Sequence, residues 1–269
     1  MSFGNSTISE SAQIAKNVSI GNGCVIGNGV RISDFCIIHD NVQIGDNSYI
    51  GPFCIIGEQT KSYYDDSQEY GYSLTQIGES AIIRSHSIIY TDVRIGKNFQ
   101  TGHRVTIREK SEIGDNVRIG TSSDIQGFCI IGNYVNIHSS VIVGQKSVIE
   151  DYVWLFPHVI LTNDPNPPSL QLIGVVIRKY AVVASACTIL PGVEIGEGAV
   201  VGAHSLVKRN VSQGILVSGN PARDICPANK IIDATTGGKA YPWQKVFGRG
   251  MPWEDIGYDE WLEKEKGKN

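Results

Sequence analysis

From Ile8 onward, every sixth residue of this chain is aliphatic. The series runs Ile8, Ile14, Ile20, Ile26, Ile32, Ile38, Ile44, Ile50 and Ile56. It breaks over residues 57–76 and resumes at Ile77, Ile83, Ile89 and Ile95. Past Thr101 it continues through Ile107, Ile113, Ile119, Ile125, Ile131, Ile137, Val143, Ile149, Leu155 and Leu161. A second break follows at 163–176, and the last run is Ile177, Val183, Ile189, Ile195, Val201 and Val207. Of these 30 positions 29 are aliphatic; only Thr101 is not. A period of six is neither the 3.6 of a helix nor the alternation of an ordinary strand. Small residues follow the aliphatic one in IGNG, IGDN and IGEG, which marks a turn. Each unit therefore predicts a short strand plus a corner, with β-branched isoleucine suited to extended backbone. Units of this kind stack into a parallel β-helix.

The register of an aliphatic residue, then glycine, then four variable positions resembles the left-handed β-helix family over residues 6–210. The resemblance implies three units to a triangular coil of eighteen residues, hence about ten coils. At one strand spacing per coil, the prism is about 45–50 Å tall. The expected fold is all-β: a left-handed parallel β-helix over 1–210, interrupted by loops at 57–76 and 163–176. Residues 211–269 form a C-terminal tail that loses the register. The tail packs its tryptophans, Trp243, Trp253 and Trp261, along the prism and carries a short helix at 254–266. Loops this long in so regular a scaffold are usually functional.

Composition narrows the classes. Hydrophobic content of 41% with 19% charge is ordinary for a globular protein. A net charge of −4 argues against a general affinity for nucleic acid. No apolar run approaches the roughly 18 residues of a membrane span. The opening MSFGNSTISES lacks the basic and apolar regions of a signal peptide, so the cytoplasm is the expected compartment. Cys24, Cys36, Cys54, Cys129 and Cys187 each stand two residues before a register position. Such slots take small inward side chains, so buried thiols are expected, with no disulfide and no metal.

Stacking the sequence by eighteen sorts the corners into columns. One corner column reads Arg84-Ser85-His86, Gly102-His103-Arg104, Gly120-Thr121-Ser122, His138-Ser139-Ser140 and Phe156-Pro157-His158. The next reads Tyr90-Thr91-Asp92, Arg108-Glu109-Lys110, Gln126-Gly127-Phe128, Gly144-Gln145-Lys146 and Thr162-Asn163-Asp164. The third keeps mostly ordinary Gly-polar-Asn turn chemistry. Histidine and arginine are poor turn residues, so two edges of the prism are candidates for chemistry. A single corner histidine is most often a solvated turn residue, and a surface pair of Arg108 with Glu109 contributes little; the clustering on one edge argues for more. In a threefold trimer, one edge of a prism can face a different edge of its neighbour, so sites between subunits of a homotrimer are expected.

Left-handed β-helices of this family are mostly acyltransferases that use acetyl-CoA or a relative, although fold alone is weak evidence for function. Residues 182–223 resemble the CoA-binding end of these enzymes. That resemblance implies cofactor-binding roles for Ala184, Ala203, Lys208 and Arg223. The stretches YTDVRIGKNFQTGHRVTIRE, GTSSDIQG, LFPHVILTNDPNPPS and YPWQKVFGRGMPWED resemble nucleotide-linked amino-sugar N-acyltransferases, especially those acting on dTDP-amino-dideoxyglucose. The resemblance implies that a sugar amine attacks the acetyl-CoA thioester and that the Tyr-rich insertion, with Tyr63, helps hold the nucleotide. His138 is the candidate general base and Asp124 the candidate anchor for the attacking amine. A backbone amide near Asn163 is the candidate oxyanion donor, beside the cofactor. Arg84, His103, Arg104 and Arg108, with Glu109, are candidates at the substrate pyrophosphate. Some members of such a family rely on the substrate itself as base. Three other readings stay open. Sugar O-acetyl transfer on the same fold needs a firmer base. A zinc hydratase would need closely spaced histidines, which are absent from the sequence. A non-catalytic β-helix would show flat Thr arrays.

Overall fold

The computed structural model describes residues 5–65 and 73–267. Each unit forms a strand of two to four residues, paired in parallel with the strand one coil away. Ile107 pairs with Ile125, and Ile125 with Val143. Three sheets result, with ten rungs on the first and third faces and a twelve-stranded order on the second. The first face contains Ile8, the second Ile14 and the third Ile20. The fold is the all-β parallel β-helix that the six-residue period predicts, with the left hand that the resemblance implies. Its core is the inward ladder: Ile50, Ile83, Ile107, Ile125, Val143 and Ile189 are all 0% exposed. The five register-linked cysteines are buried and free. Their thiols donate to carbonyls of the next coil, as Cys36 does to Gly51 at 3.0 Å and Cys187 to Gly202 at 3.0 Å. Burial pushes the Cys129 thiol up to about 11.

The corners turn through the left-handed backbone region at their third residue. Asparagine holds that position in Asn41, Asn47, Asn98 and Asn116, as its local hydrogen bonding favours. His86 (φ 63°), Arg104 (φ 54°) and His158 (φ 63°) hold it on the edge between the second and third faces. Residues of that kind adopt this conformation at a cost of about 1–2 kcal/mol each.

Both insertions leave from the edge between the third and first faces. The ladder closes over them, pairing Ile56 with Ile89 and Ile149 with Ile177. The first insertion contains a short helix, Lys61–Asp65; the rest of its Tyr-rich stretch, residues 66–72, lies outside the described residues. The second is pinned by the Asp164 carboxylate, which accepts from the Ser169 hydroxyl at 2.6 Å and from two backbone amides. These hydrogen bonds hold its pKa below the ordinary carboxylate value.

Two tail expectations are corrected. The prism does not stop at 210: Val211 bridges to Ile195, and Ile215–Gly219 pairs in parallel with Val200–Val201. The step from Val207 to Val211 is short, so counting by six loses a ladder that the backbone keeps. Ile215–Gly219 then turns back as an antiparallel hairpin with Ala222–Pro227. The helix spans Tyr258–Lys266 rather than 254–266, because the chain turns around Trp253 first.

The tail is held by aromatic packing. Tyr134, Tyr152 and Tyr180 stack on one another along the edge between the first and second faces, at 5.4 and 5.0 Å. Trp253, 1% exposed, packs against Tyr152 at 5.1 Å and Trp261 at 5.1 Å. The two buried tail indoles are satisfied: Trp243 donates to the Tyr180 carbonyl at 2.9 Å, and Trp253 to that of Phe247 at 3.0 Å, whereas the buried Trp154 Nε1 has no partner among the described residues. No helix among the described residues is long and apolar enough to cross a membrane.

Candidate functional site

The stacking fixes where each candidate side chain stands. On the edge between the second and third faces, glycine at the first corner position lets neighbouring coils approach. A Cβ on Gly120 would stand 2.4 Å from the carbonyl carbon of His138. Glycines 102 and 120 therefore leave a gap in the side-chain column, with Arg84 below it and His138 above. The gap opens onto the second face as a groove of about 450 Å³. Arg84, Arg118, His138, Trp154, Phe247 and Arg249 are among its walls. Across three coils it is about 14 Å from end to end.

His138 is half-buried, with its ring stacked on Phe156 at 4.6 Å and tilted toward Trp154 at 6.0 Å. Burial lowers its pKa from the ordinary value of 6.5, so the imidazole is neutral near pH 7. Its ring makes no hydrogen bond among the described residues. His103 and Arg104, lower on this edge, are exposed. His103 shares a hydrogen bond with the Ser85 hydroxyl at 2.8 Å, and Arg104 donates to the Ser122 hydroxyl at 3.3 Å. Ala184, Ala203 and His204 continue the same edge toward the C-terminal end of the prism.

The remaining candidates stand elsewhere on a single chain. Asp124 points outward from the middle of the third face, where Gln126 donates to it at 3.3 Å. Arg108, Glu109 and Asn163 belong to the edge between the third and first faces. Arg108 is committed to the largely buried Glu109 through two hydrogen bonds, at 3.1 and 2.9 Å, and lies over the Tyr90 ring at 5.5 Å. It is thus separated from Arg84 by the width of the third face. The Asn163 carbonyl accepts from the Ile173 amide at 2.8 Å, closing the second loop. Tyr63 sits in the short helix of the first insertion, its ring edge-on to Tyr64 at 5.3 Å. Lys208 and Arg223 come together with Arg209 around a second hollow of about 490 Å³ at the C-terminal end of the prism.

Within one chain, then, the groove unites Arg84 and His138, while the end hollow unites Lys208 and Arg223. The groove also draws in residues that the column reading missed. Arg118 occupies an outward strand position of the same kind as Arg31, and Arg249 and Phe247 come from the tail, which has no register to stack.

The family model described as bacterial transferase hexapeptide (six repeats) matches residues 110–145, and a model described as GMPPB C-terminal domain matches residues 4–62. Over 105 residues the chain is 32% identical to a "Putative serine acetyltransferase" of Schizosaccharomyces pombe, covering 39% of this chain and 38% of that one. It is 33% identical over 104 residues to a chloramphenicol acetyltransferase of Escherichia coli, covering 36% of this chain and 50% of that one. The chain thus spans half or less of the length of these two relatives. It is 31% identical over 159 residues to the "Putative lipopolysaccharide biosynthesis O-acetyl transferase WbbJ" of Escherichia coli strain K12, covering 54% of this chain and 77% of that one. Among solved structures, an Arabidopsis UDP-N-acetylglucosamine acyltransferase aligns over 97% of this chain and 87% of that one, with a TM-score of 0.45 and 18% identity. With 77% of the Escherichia coli O-acetyl transferase covered at 31% identity, and the hexapeptide model matched within the prism, the chain belongs to the hexapeptide-repeat transferase family of left-handed β-helix acyltransferases.

Proposed function

We propose that the protein transfers an acetyl group from acetyl-CoA to the amine of a nucleotide-linked amino-dideoxy sugar, with dTDP as the carrier. The observation that carries this reading is His138: a half-buried imidazole, its pKa pushed down by burial, at the head of a groove whose other end holds Arg84. A neutral base beside an anion-binding side chain suits a nucleophile delivered on a phosphate carrier.

In the reaction the amine lone pair attacks the thioester carbonyl and the carbonyl π electrons move to oxygen. His138 takes the proton lost by nitrogen. Collapse of the tetrahedral oxyanion breaks the C–S bond, and the departing thiolate takes the proton back from the imidazolium. Positioning carries much of the rate, because a neutral amine is already a good nucleophile. Asp124 orients the amine before attack, and a backbone amide near Asn163 stabilises the oxyanion. The hollow with Lys208, Arg209 and Arg223 offers three cations to the phosphates of CoA. The small side chains of Ala184 and Ala203 leave room along the edge between that hollow and His138. Tyr63 and the first insertion, with His103 and Arg104, border the sugar-nucleotide side.

On one chain Asn163 lies across the third face from His138 and Asp124 points outward from the middle of that face, so this reading requires a second copy. The third face favours one. Its outward positions include Ile37, Ile55, Ile88, Ile142, Ile160 and Leu206, with Asp124 the one charged residue in the row. The two edges with unusual corners are the two that bound this face. A homotrimer packed through it brings the His138 edge of one subunit to the Arg108–Asn163 edge of the next.

Sugar O-acetyl transfer is the second reading, favoured by the similarity to an O-acetyl transferase. Measuring free CoA thiol with acetyl-CoA and a panel of dTDP- and UDP-linked sugars separates the two. Release with a dTDP-amino sugar and none with its hydroxyl counterpart supports N-acyl transfer. Release only with hydroxyl acceptors rejects it.

A further inference from the structure

Three arginines converge on the groove from separate parts of the chain: Arg84 from a corner, Arg118 from a strand and Arg249 from the tail. No carboxylate lines the groove, and among the described residues none of the three is ion-paired. Glu254, beside this stretch of tail, is occupied with the Gly250 amide at 2.7 Å and does not line the cavity. Arg84 is half-buried while Arg118 and Arg249 are solvent-exposed, so the groove presents uncompensated positive charge to an incoming anion.

Arg84 is held there by a local rewiring of the ladder. Along this edge the first corner residue normally donates its backbone N–H to the carbonyl of the inward residue of the next coil. Gly102 donates to Ile119, Gly120 to Ile137 and His138 to Leu155. Arg84 does not. Its N–H donates to the Thr101 hydroxyl at 2.8 Å, and its Nη1 donates to the Thr101 carbonyl. Thr101 is 1% exposed and is the single non-aliphatic residue of the six-residue series. Its hydroxyl takes over the ladder bond and frees the carbonyl to hold the guanidinium. Valine at this position would restore the repeat and undo the arrangement.

The tail is fitted to Arg118 as well. Gly250 has φ +72°, and a Cβ there would stand 3.1 Å from Arg118 Nη2. Beyond the arginines, the groove ends against Trp154 and Phe247, whose rings meet edge to face at 5.6 Å beside His138. Aromatic walls of this kind suit the apolar face of a sugar ring.

We infer that this groove is the site for the diphosphate and hexose of the sugar nucleotide. Arg84, Arg118 and Arg249 take the diphosphate oxygens, and the hexose lies toward Trp154 and Phe247, with its amine at His138. Thr101 is a positioning residue, acting through Arg84. The inference rests on the sugar-nucleotide reading above, and it makes the C-terminal tail part of the binding site.

The test is calorimetric titration of dTDP and UDP into the protein without acetyl-CoA, so binding is read apart from chemistry. The wild-type protein is expected to bind dTDP. Arg118→Ala and Arg249→Ala each lose at least tenfold in affinity, while Arg94→Ala, on the first face and paired with Glu112, binds as wild type. Thr101→Val loses as much affinity as Arg84→Ala but keeps or raises its Tm, a combination that a merely structural threonine would not give. Unchanged dTDP affinity in folded Arg118→Ala and Arg249→Ala overturns the assignment of the groove and leaves the sugar-nucleotide reading standing. Absence of dTDP and UDP binding to the wild type, with thiol release on free sugars, overturns both. Arginine-dependent dTDP binding without any thiol release upholds the site and rejects the acyl-transfer reading.

Discussion

At the scale of single residues, His138 shows how position sets chemistry. It occupies a corner slot where Gly102 and Gly120 stand in the coils below, and its ring lies on Phe156 instead of in water. Burial disfavours the imidazolium, so its pKa lies below 6.5. The sign follows directly. The base form predominates near pH 7, and the midpoint of its proton uptake lies below 6.5. The acid limb that His138 contributes to the pH profile of kcat/KM is therefore expected to have its midpoint below pH 6.5. Folding stability loses a contribution over the same acid range, because the unfolded chain takes up the proton first. His138→Asn is expected to lower turnover by about 10²–10⁴-fold, the range of a general base, and to remove the acid limb. A smaller loss with the limb intact would assign the proton to the substrate.

At the scale of elements, the prism and the tail are stabilised differently. Each coil contacts only its neighbours, so the β-helix behaves as a one-dimensional array. The tail instead hangs on an aromatic cluster, with Trp253 in contact with Tyr152, Tyr180, Trp243, Tyr258 and Trp261. Trp253→Ala is expected to cost about 3–5 kcal/mol at this cluster. The loss should appear as a separate low-temperature transition and as early proteolysis beyond residue 227, with the prism transition in place. A single transition lowered as a whole would mean that tail and prism fold as one unit. The same contrast explains what could be read from the sequence. The period of six exposed the prism, both insertions and the unusual edges, because side-chain type at each rung is dictated by the inward ladder. It singled out Arg84 and His138, because neither suits a corner. It did not find Arg118, which stands at an outward strand position and looks like the solvated Arg31, nor Arg249, which has no register. Thr101 was visible as an exception, but its purpose lies in which of its oxygens takes which hydrogen, and that emerges only from the folded ladder.

At the scale of the whole molecule, the third face is the surface that one chain leaves unexplained. Ile37 is 41% exposed and Ile160 36%, in a row where six of ten outward positions are aliphatic. Water on such a face is costly, at roughly 25 cal/mol for each Å² of apolar surface. In the proposed trimer, packing three copies about this face would remove that cost and bring the two chemically unusual edges into one cleft. The prediction concerns Ile142→Asp and Ile160→Asp, which place carboxylates on the face without touching the inward ladder. Sedimentation should show the wild type at three times the 29.3 kDa chain mass and the double variant at the single chain mass. Circular dichroism should stay unchanged, because the coil hydrogen bonds lie within each chain. Acyl transfer should fall with the loss of trimer. Binding of dTDP to the arginine groove, which lies on the second face and is built from one chain, should survive. If the double variant remains trimeric, the subunits associate through another face, and the partner for His138 must be sought on that face instead.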